Sequence, residues 1–543
     1  SGESGESGES GESGESGESG GSNNEVTVLK AEEDGVISYS KANEQSIVDE
    51  AAGEKLIQIK ASLKTPPVAT VGNCNIGVNA GGIEYYSTEM PFKDLAKMSD
   101  GWFRPWGSEF EGVPLDLDSN GYLRTVDEGY AQTIISDDNW GRDESDTDYV
   151  LLYDGEGQLK FNLNGTEIIK EEPGRIEFEL HKGRVGLIQV STNPENYIRN
   201  IRIVPIEHEN DFNSKIIREK YKRVWSGVGV VRYLDNQLIN NSEEVEWSNR
   251  PKRTKFGGRD GQSIEDIVGM SNEMNVSPWV LIPHLADDNY IREMAVYVRD
   301  HLDAGLKIYL EYTNEAWNGQ FSQSRYLQKI ANENETMLVN EYGKKARNVF
   351  QIWTNVFGAS NRLVRVIGSQ KVNPWISENI LLTPGLAELV DALAVTTYIG
   401  IPEEKFTETL TMSDEAVFNY LNNDILPLSK ERLMRHKKVA DKFNVMLISY
   451  EGGAHIAPVG QWRENKALVD RFIRLNRNPL MYQLYMDIYK QWTSVGGGLI
   501  VWFRTSYKPS KWGSWGLLEN TSSSELSSPK YRAFKDTLRL SGC

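Results

Sequence analysis

The chain has 543 residues, more than twice the about 250 that one barrel of alternating strands and helices needs, so it has room for added modules. Its 39% hydrophobic and 25% charged residues fit a globular protein with a sizeable core, and no run of 18 apolar residues predicts a membrane-spanning helix. The formal charge of −19 repels a phosphate backbone and argues against nucleic acid as a partner.

Residues 1–22 repeat Ser-Gly-Glu six times and end Ser-Gly-Gly-Ser, a composition that buries no core and predicts an extended tether. Residues 23–73 hold two alternating stretches, Gly35–Tyr39 and Lys55–Leu63, expected as strands. Residues 74–109 open with the apolar strand Asn75–Gly82 and a helical pattern over Pro91–Met98. Residues 110–207 alternate with period two over Tyr149–Tyr153, Gly157–Leu163, Arg175–Leu180 and Val185–Ser191, with Asp154-Gly155 and Asn164-Gly165 as turns. That pattern predicts an inserted antiparallel β-sandwich.

From 208 to 543 strands and helices alternate. The expected strands are Gly229–Asp235, Trp279–His284, Lys307–Glu315, Leu363–Gly368, Ala392–Tyr398, Val445–Glu451 and Gly498–Phe503. The expected helices are Asn213–Val224, Ser263–Met274, Asn289–Leu302, one long stretch Phe321–Phe357, Glu431–Phe443 and Leu480–Ser494. With Asn75–Gly82 this makes eight apolar strands, the number that closes a (β/α)8 TIM barrel. The fold class is therefore α/β. No Gly-rich nucleotide fingerprint follows a strand, which argues against an open, doubly wound sheet.

A barrel of this kind carries its chemistry at the C-terminal strand ends. There the sequence puts Arg232 and Asp235, then His284, then Asn314-Glu315 followed by Trp317, then Tyr398, Glu451 and Trp502. A buried strand that ends in a carboxylate is costly unless the group is used or paired. Strands four and seven both do so, on opposite sides of the mouth, as glycosidic bond cleavage by paired carboxylates requires. Glu311 and Glu341 read as structural. Trp317, Trp375, Trp512 and Trp515 are candidate platforms for flat apolar faces.

These strand ends resemble clan A of the glycoside hydrolases, the retaining (β/α)8 enzymes that include cellulases, mannanases and xylanases. The resemblance covers roughly 75–108 and 210–540. It implies that Glu315 is the acid/base and that Asn314 holds a sugar 2-hydroxyl. It implies that Glu451, in Ser449-Tyr-Glu-Gly-Gly453, is the nucleophile, with Tyr398 hydrogen-bonded to it and Trp502 flooring the sugar site. Arg232 and His284 correspond to polar residues on strands two and three. The sequence departs from the commonest pattern at Ala316, where Pro usually follows Asn-Glu, and at Thr396-Thr397, which replace a His-X before Tyr398.

The expected activity is thus endo-cleavage of a β-linked polysaccharide by a secreted enzyme, with a carbohydrate-binding module upstream of the tether. A noncatalytic glycan-binding barrel is the alternative. No Cys/His cluster has metal-ligand spacing, so no metal and no cofactor are expected. Cys74 and Cys543 could bridge each other or stay free thiols.

Overall fold

The structure, a computed structural model, describes residues 25–31, 37–43, 74–126, 129–137, 147–163, 165–181, 183–524 and 527–543. The tether and the stretch Lys55–Leu63 lie outside the described residues. The chain divides into a small unit, Ser10–Val68, and a large one holding the rest. In the small unit Glu25–Ala31 pairs antiparallel with Ile37–Asn43.

The large unit is a (β/α)8 barrel with added antiparallel sheets. Its strands are β1 Ile76–Asn79, β2 Val230–Arg232, β3 Ser277–Ile282, β4 Ile308–Tyr312, β5 Leu363–Gly368, β6 Ala392–Thr396, β7 Met446–Glu451 and β8 Ile500–Trp502. They run parallel in the order β7-β6-β5-β4-β3-β2-β1-β8. The circle closes between β7 and β8, where Gly498 N donates to Leu447 O and Ser449 N to Leu499 O, both at 2.8 Å. Alternate residues face the axis: Val230, Trp279, Leu281, Tyr309, Val364, Val366, Ala392, Ala394, Ile448 and Val501 form one inner cluster. Their neighbours in sequence, such as Val231, Val280, Leu310, Leu393 and Ile500, join the larger cluster under the helices. Burial on both faces explains why these strands read as continuous apolar runs.

The helices follow local signals. Ser263 caps Ile264–Met274 by accepting from Asp266 N, and Asp287 caps Asp288–His301 by accepting from Tyr290 N. The long stretch expected over Phe321–Phe357 is two helices, Ser322–Glu333 and Leu338–Phe357, parted by a turn in which Glu335 takes φ +52°. Two other helices are shorter than expected for one shared reason. Lys93 N donates to Ile216 O and Arg218 N to Pro91 O, which holds both segments extended against each other. Only the single turn Leu95–Met98 and the helix Glu219–Val224 remain.

Between β1 and β2 the chain builds two antiparallel sheets. One has the order Arg199–Pro205, Asp148–Asp154, Arg175–Leu180, Thr166–Glu172, and the other Ala131–Ser136, Val185–Thr192, Gly157–Asn162. Phe161 of the second meets Phe178 of the first at 4.4 Å between ring centroids. Cys74, just before β1, is bonded to Cys543, which follows the last helix, Pro529–Leu540.

Candidate active site

The last inward residue of β2 is Arg232, fully buried, and its guanidinium organises the barrel mouth. Nε and Nη2 donate to Glu311 Oε2 at 3.2 and 3.0 Å. Nη1 donates to Glu451 Oε1 at 3.0 Å and to Asn79 Oδ1 at 3.2 Å, and Nη2 also reaches Asn314 Oδ1 at 2.9 Å. One cation thus ties β1, β2, β4 and β7 together. A buried charge without such partners would be untenable.

Glu451 enters this network through an irregularity in β7. Val395 of β6 pairs with Ser449, but the next residue, Thr396, pairs with Glu451, so Tyr450 is the extra residue of a bulge. A bulge lets consecutive side chains turn to one side. Tyr450 and Glu451 accordingly both point into the mouth. Glu451 Oε2 accepts from the Tyr398 hydroxyl at 3.1 Å. Burial, first, and then the charge of Glu451 hold the Tyr398 hydroxyl far above its ordinary pKa, so it stays a donor.

Glu315 stands just past β4, also buried. Its Oε1 accepts from the Tyr450 hydroxyl and its Oε2 from Asn318 Nδ2, both at 3.0 Å. The backbone there is strained: Thr313 and Glu315 take φ of +48° and +40°, a region that side chains with a Cβ avoid. Strain of this kind persists where neighbouring structure over-determines it, and it gathers at functional sites. Asn314, between them, has its Oδ1 on Arg232 and its Nδ2 on Asn240 Oδ1 at 3.1 Å. Trp317 covers the same rim, with its ring 6.5 Å from that of Tyr450.

Electrostatics couple the two acids. Burial pushes the Glu451 carboxyl up to about 8, Arg232 and Tyr398 pull against it, and Glu315 and Asp235 push with it. Two neighbouring acids of this kind do not titrate independently. Glu311 is also raised, by burial first, with Arg232 and the Trp279 indole N–H opposing.

The rim beside Glu451 holds further charges, and of these the sequence points to Asp235 but not to Glu84, Glu89 or Arg504. Asp235 Oδ2 accepts from Arg504 Nη1 at 2.8 Å, joining the loops after β2 and β8. Burial raises Glu84, in the loop after β1, and Arg504 lowers it. Glu89 accepts from Gly81 N, Thr505 Oγ1 and Ser506 Oγ at 3.0, 2.7 and 3.1 Å and locks the loop after β1 to the loop after β8. Spacing along the chain could not pair these groups, because Arg504 lies 269 residues from Asp235 and Thr505 lies 416 from Glu89.

One expected site residue lies elsewhere. Trp502 faces outward and stacks on Tyr485 of the helix Leu480–Ser494 at 5.1 Å. In β8 it is Val501 that faces the axis, so its neighbour must face the helices. The aromatic wall around Tyr398 is instead built by Phe503 and Trp515. His284 packs edge-on against Tyr326 at 5.4 Å in the helix after β4, and burial holds it neutral, with its pKa near 4. Among the described residues one group has ligand-like spacing for a metal, Glu167, Glu179 and His181 on the inserted sheet, and it includes none of the mouth acids.

No protein-family model matches the sequence, and no curated protein matches it. Solved structures with partial likeness include a GH51 arabinofuranosidase from Xanthomonas axonopodis pv. citri, at 16% identity and TM-score 0.36 over 53% of this chain and 59% of that one. They also include an endo-beta-1,4-mannanase from Thermotoga petrophila, at 11% identity and TM-score 0.33 over 60% and 72%. A third is xylanase 10B from Thermotoga maritima, at 12% identity and TM-score 0.34 over 59% and 90%. The chain thus spans under two thirds of the arabinofuranosidase's length. The barrel itself is established by the strand order and closure described above.

Proposed function

We propose that this chain is a retaining glycoside hydrolase that cleaves a β-linked polysaccharide within the chain, by double displacement. One observation carries the reading. Two buried carboxylates project from the ends of β4 and β7, and Glu451 is held by both a guanidinium and a protonated Tyr. In the reactive state Glu451 is the anion that those partners hold, and Glu315 carries the proton. Glu451 attacks the anomeric carbon while Glu315 gives its proton to the leaving oxygen as that C–O bond breaks. Glu315 then takes a proton from water, the oxygen adds to the anomeric carbon, and Glu451 is released. Asn314, fixed by Arg232 and Asn240, is positioned for the 2-hydroxyl, and Trp317 for a sugar face. We also infer secretion, because a disulfide such as Cys74–Cys543 persists in oxidising compartments.

The test is reducing-sugar release from β-glucan, mannan, xylan and algal polysaccharides by wild type, Glu315→Gln and Glu451→Gln. Release by wild type that both variants lose supports the reading. Binding without release overturns it in favour of a noncatalytic glycan-binding barrel. Full activity in either variant shows that other acids do the chemistry.

A further inference from the structure

Glu311 lies within the barrel axis, one layer beneath the mouth, and it is almost wholly buried. Its Oε2 accepts three N–H groups: two from Arg232 and one from Trp279 Nε1 at 3.0 Å. Room for the carboxylate is reserved by Gly368 of β5, where a Cβ would stand 2.8 Å from Glu311 Oε1. The guanidinium has five donors. Glu311 occupies Nε and part of Nη2, and this leaves Nη1 to face Glu451.

We propose that Glu311 is a positioning residue: it seats the Arg232 guanidinium, aims Nη1 at Glu451, and offsets the positive charge that Glu451 feels. The proposal rests on the reading of Glu451 as nucleophile. Two carboxylates share one cation, so each limits how strongly the other is stabilised as an anion. The other groups facing Glu451 are Asp235 from the loop after β2, Glu315 from the end of β4, Tyr398 after β6 and Tyr450 on β7 itself. Asp235 and Glu315 are acids that push the Glu451 carboxyl up, and Arg232, bonded to it directly, is the cation that pulls it down. How Arg232 is shared therefore sets the balance. Glu311 in turn faces Arg232, Trp279 and Tyr342.

The experiment compares Glu311→Gln and Glu311→Asp with wild type, reading kcat/KM against pH and melting temperature from pH 5 to 9. Glu311→Gln keeps the shape and removes the charge. The acid limb of kcat/KM should move down by about one pH unit, with KM little changed. Glu311→Asp keeps the charge but withdraws it by one methylene. It should leave the limb in place and lower kcat about tenfold through a mis-aimed Arg232. An unmoved limb in Glu311→Gln, or an equal shift in both variants, overturns the proposal. If Glu311→Gln does not fold, Glu311→Asp decides alone, and unchanged kcat there overturns it. The melting data separate this inference from the proposed function. The part of the pH dependence that Glu451→Gln abolishes should shift to lower pH in Glu311→Gln even if wild type hydrolyses no glycan, and its failure to shift sinks the inference on its own.

Discussion

The Tyr450 hydroxyl donates to Glu315 at 3.0 Å, so the residue before one mouth carboxylate steadies the other. This depends on the bulge that turns Tyr450 and Glu451 to the same side. Tyr450→Phe removes the donor and keeps the ring that lies 5.1 Å from the Arg232 guanidinium. We expect kcat to fall about tenfold, the equivalent of one lost hydrogen bond at the acid/base, with KM and melting temperature little changed. An unaltered kcat would show that Asn318 suffices to place Glu315.

Glu451 makes stability depend on pH in a definite direction. Its pKa rises from an ordinary value near 4.5 to about 8 on folding, chiefly through burial. The folded state therefore holds this proton more tightly than the unfolded chain does. The resulting stability is fully present below about pH 4.5 and is lost as pH rises toward about 8. Chemical denaturation at pH 5, 7 and 9 should show wild type losing stability across this window. Glu451→Gln should give a flatter profile. Since attack requires the anion, kcat/KM should also climb with pH toward about 8.

Asp235 pushes the same carboxyl up from the rim, and Arg504 holds Asp235 there. Asp235→Asn removes one negative charge and frees one positive charge, and both changes favour the Glu451 anion. The acid limb of kcat/KM should move to lower pH, by less than the about one unit expected for a closely bonded partner. A limb that moves upward would mean that the freed Arg504 has turned away from the mouth.

The disulfide joins residues 469 apart, across the first strand and the last helix of the barrel. Cross-links over long loops remove the most entropy from the unfolded chain. Cys543→Ser should lower unfolding stability by about 2–5 kcal/mol in chemical denaturation without changing kcat. A kcat loss would instead tie the chain end to the geometry of the mouth.

Much of this architecture is legible in the sequence because the barrel strands are buried on both faces and read as apolar runs between helical patterns. Asn314-Glu315 and Glu451 stand out for the same reason, as acids at the ends of such runs. What periodicity does not contain is the side to which a residue turns. Val501 and Trp502 differ by one position, and that position decides whether the ring meets the mouth or Tyr485. The bulge at Tyr450 is a property of pairing with β6, so it cannot be read from β7 alone. Glu311 reads as structural because its meaning lies in Arg232, 79 residues earlier.

Gly368 links fold and site most directly. It ends β5 with the site's lower layer against it: Glu311 Oε1 would stand 2.8 Å from a Cβ there, and the edge of the Trp317 ring 3.6 Å from it. The ring would be in ordinary contact, but Glu311, anchored by three donors, does not give way freely. Gly368→Ala should therefore overpack the axis and cost about 1–3 kcal/mol of stability, whereas an unhindered Gly→Ala change in a strand is neutral or favourable. The displaced carboxylate should loosen Arg232, so kcat should fall further than stability loss alone explains, and the acid limb should shift as in Glu311→Gln. Denaturation midpoints and pH profiles of the one variant read both effects. A destabilised enzyme with an unmoved limb would show that the glycine serves packing only.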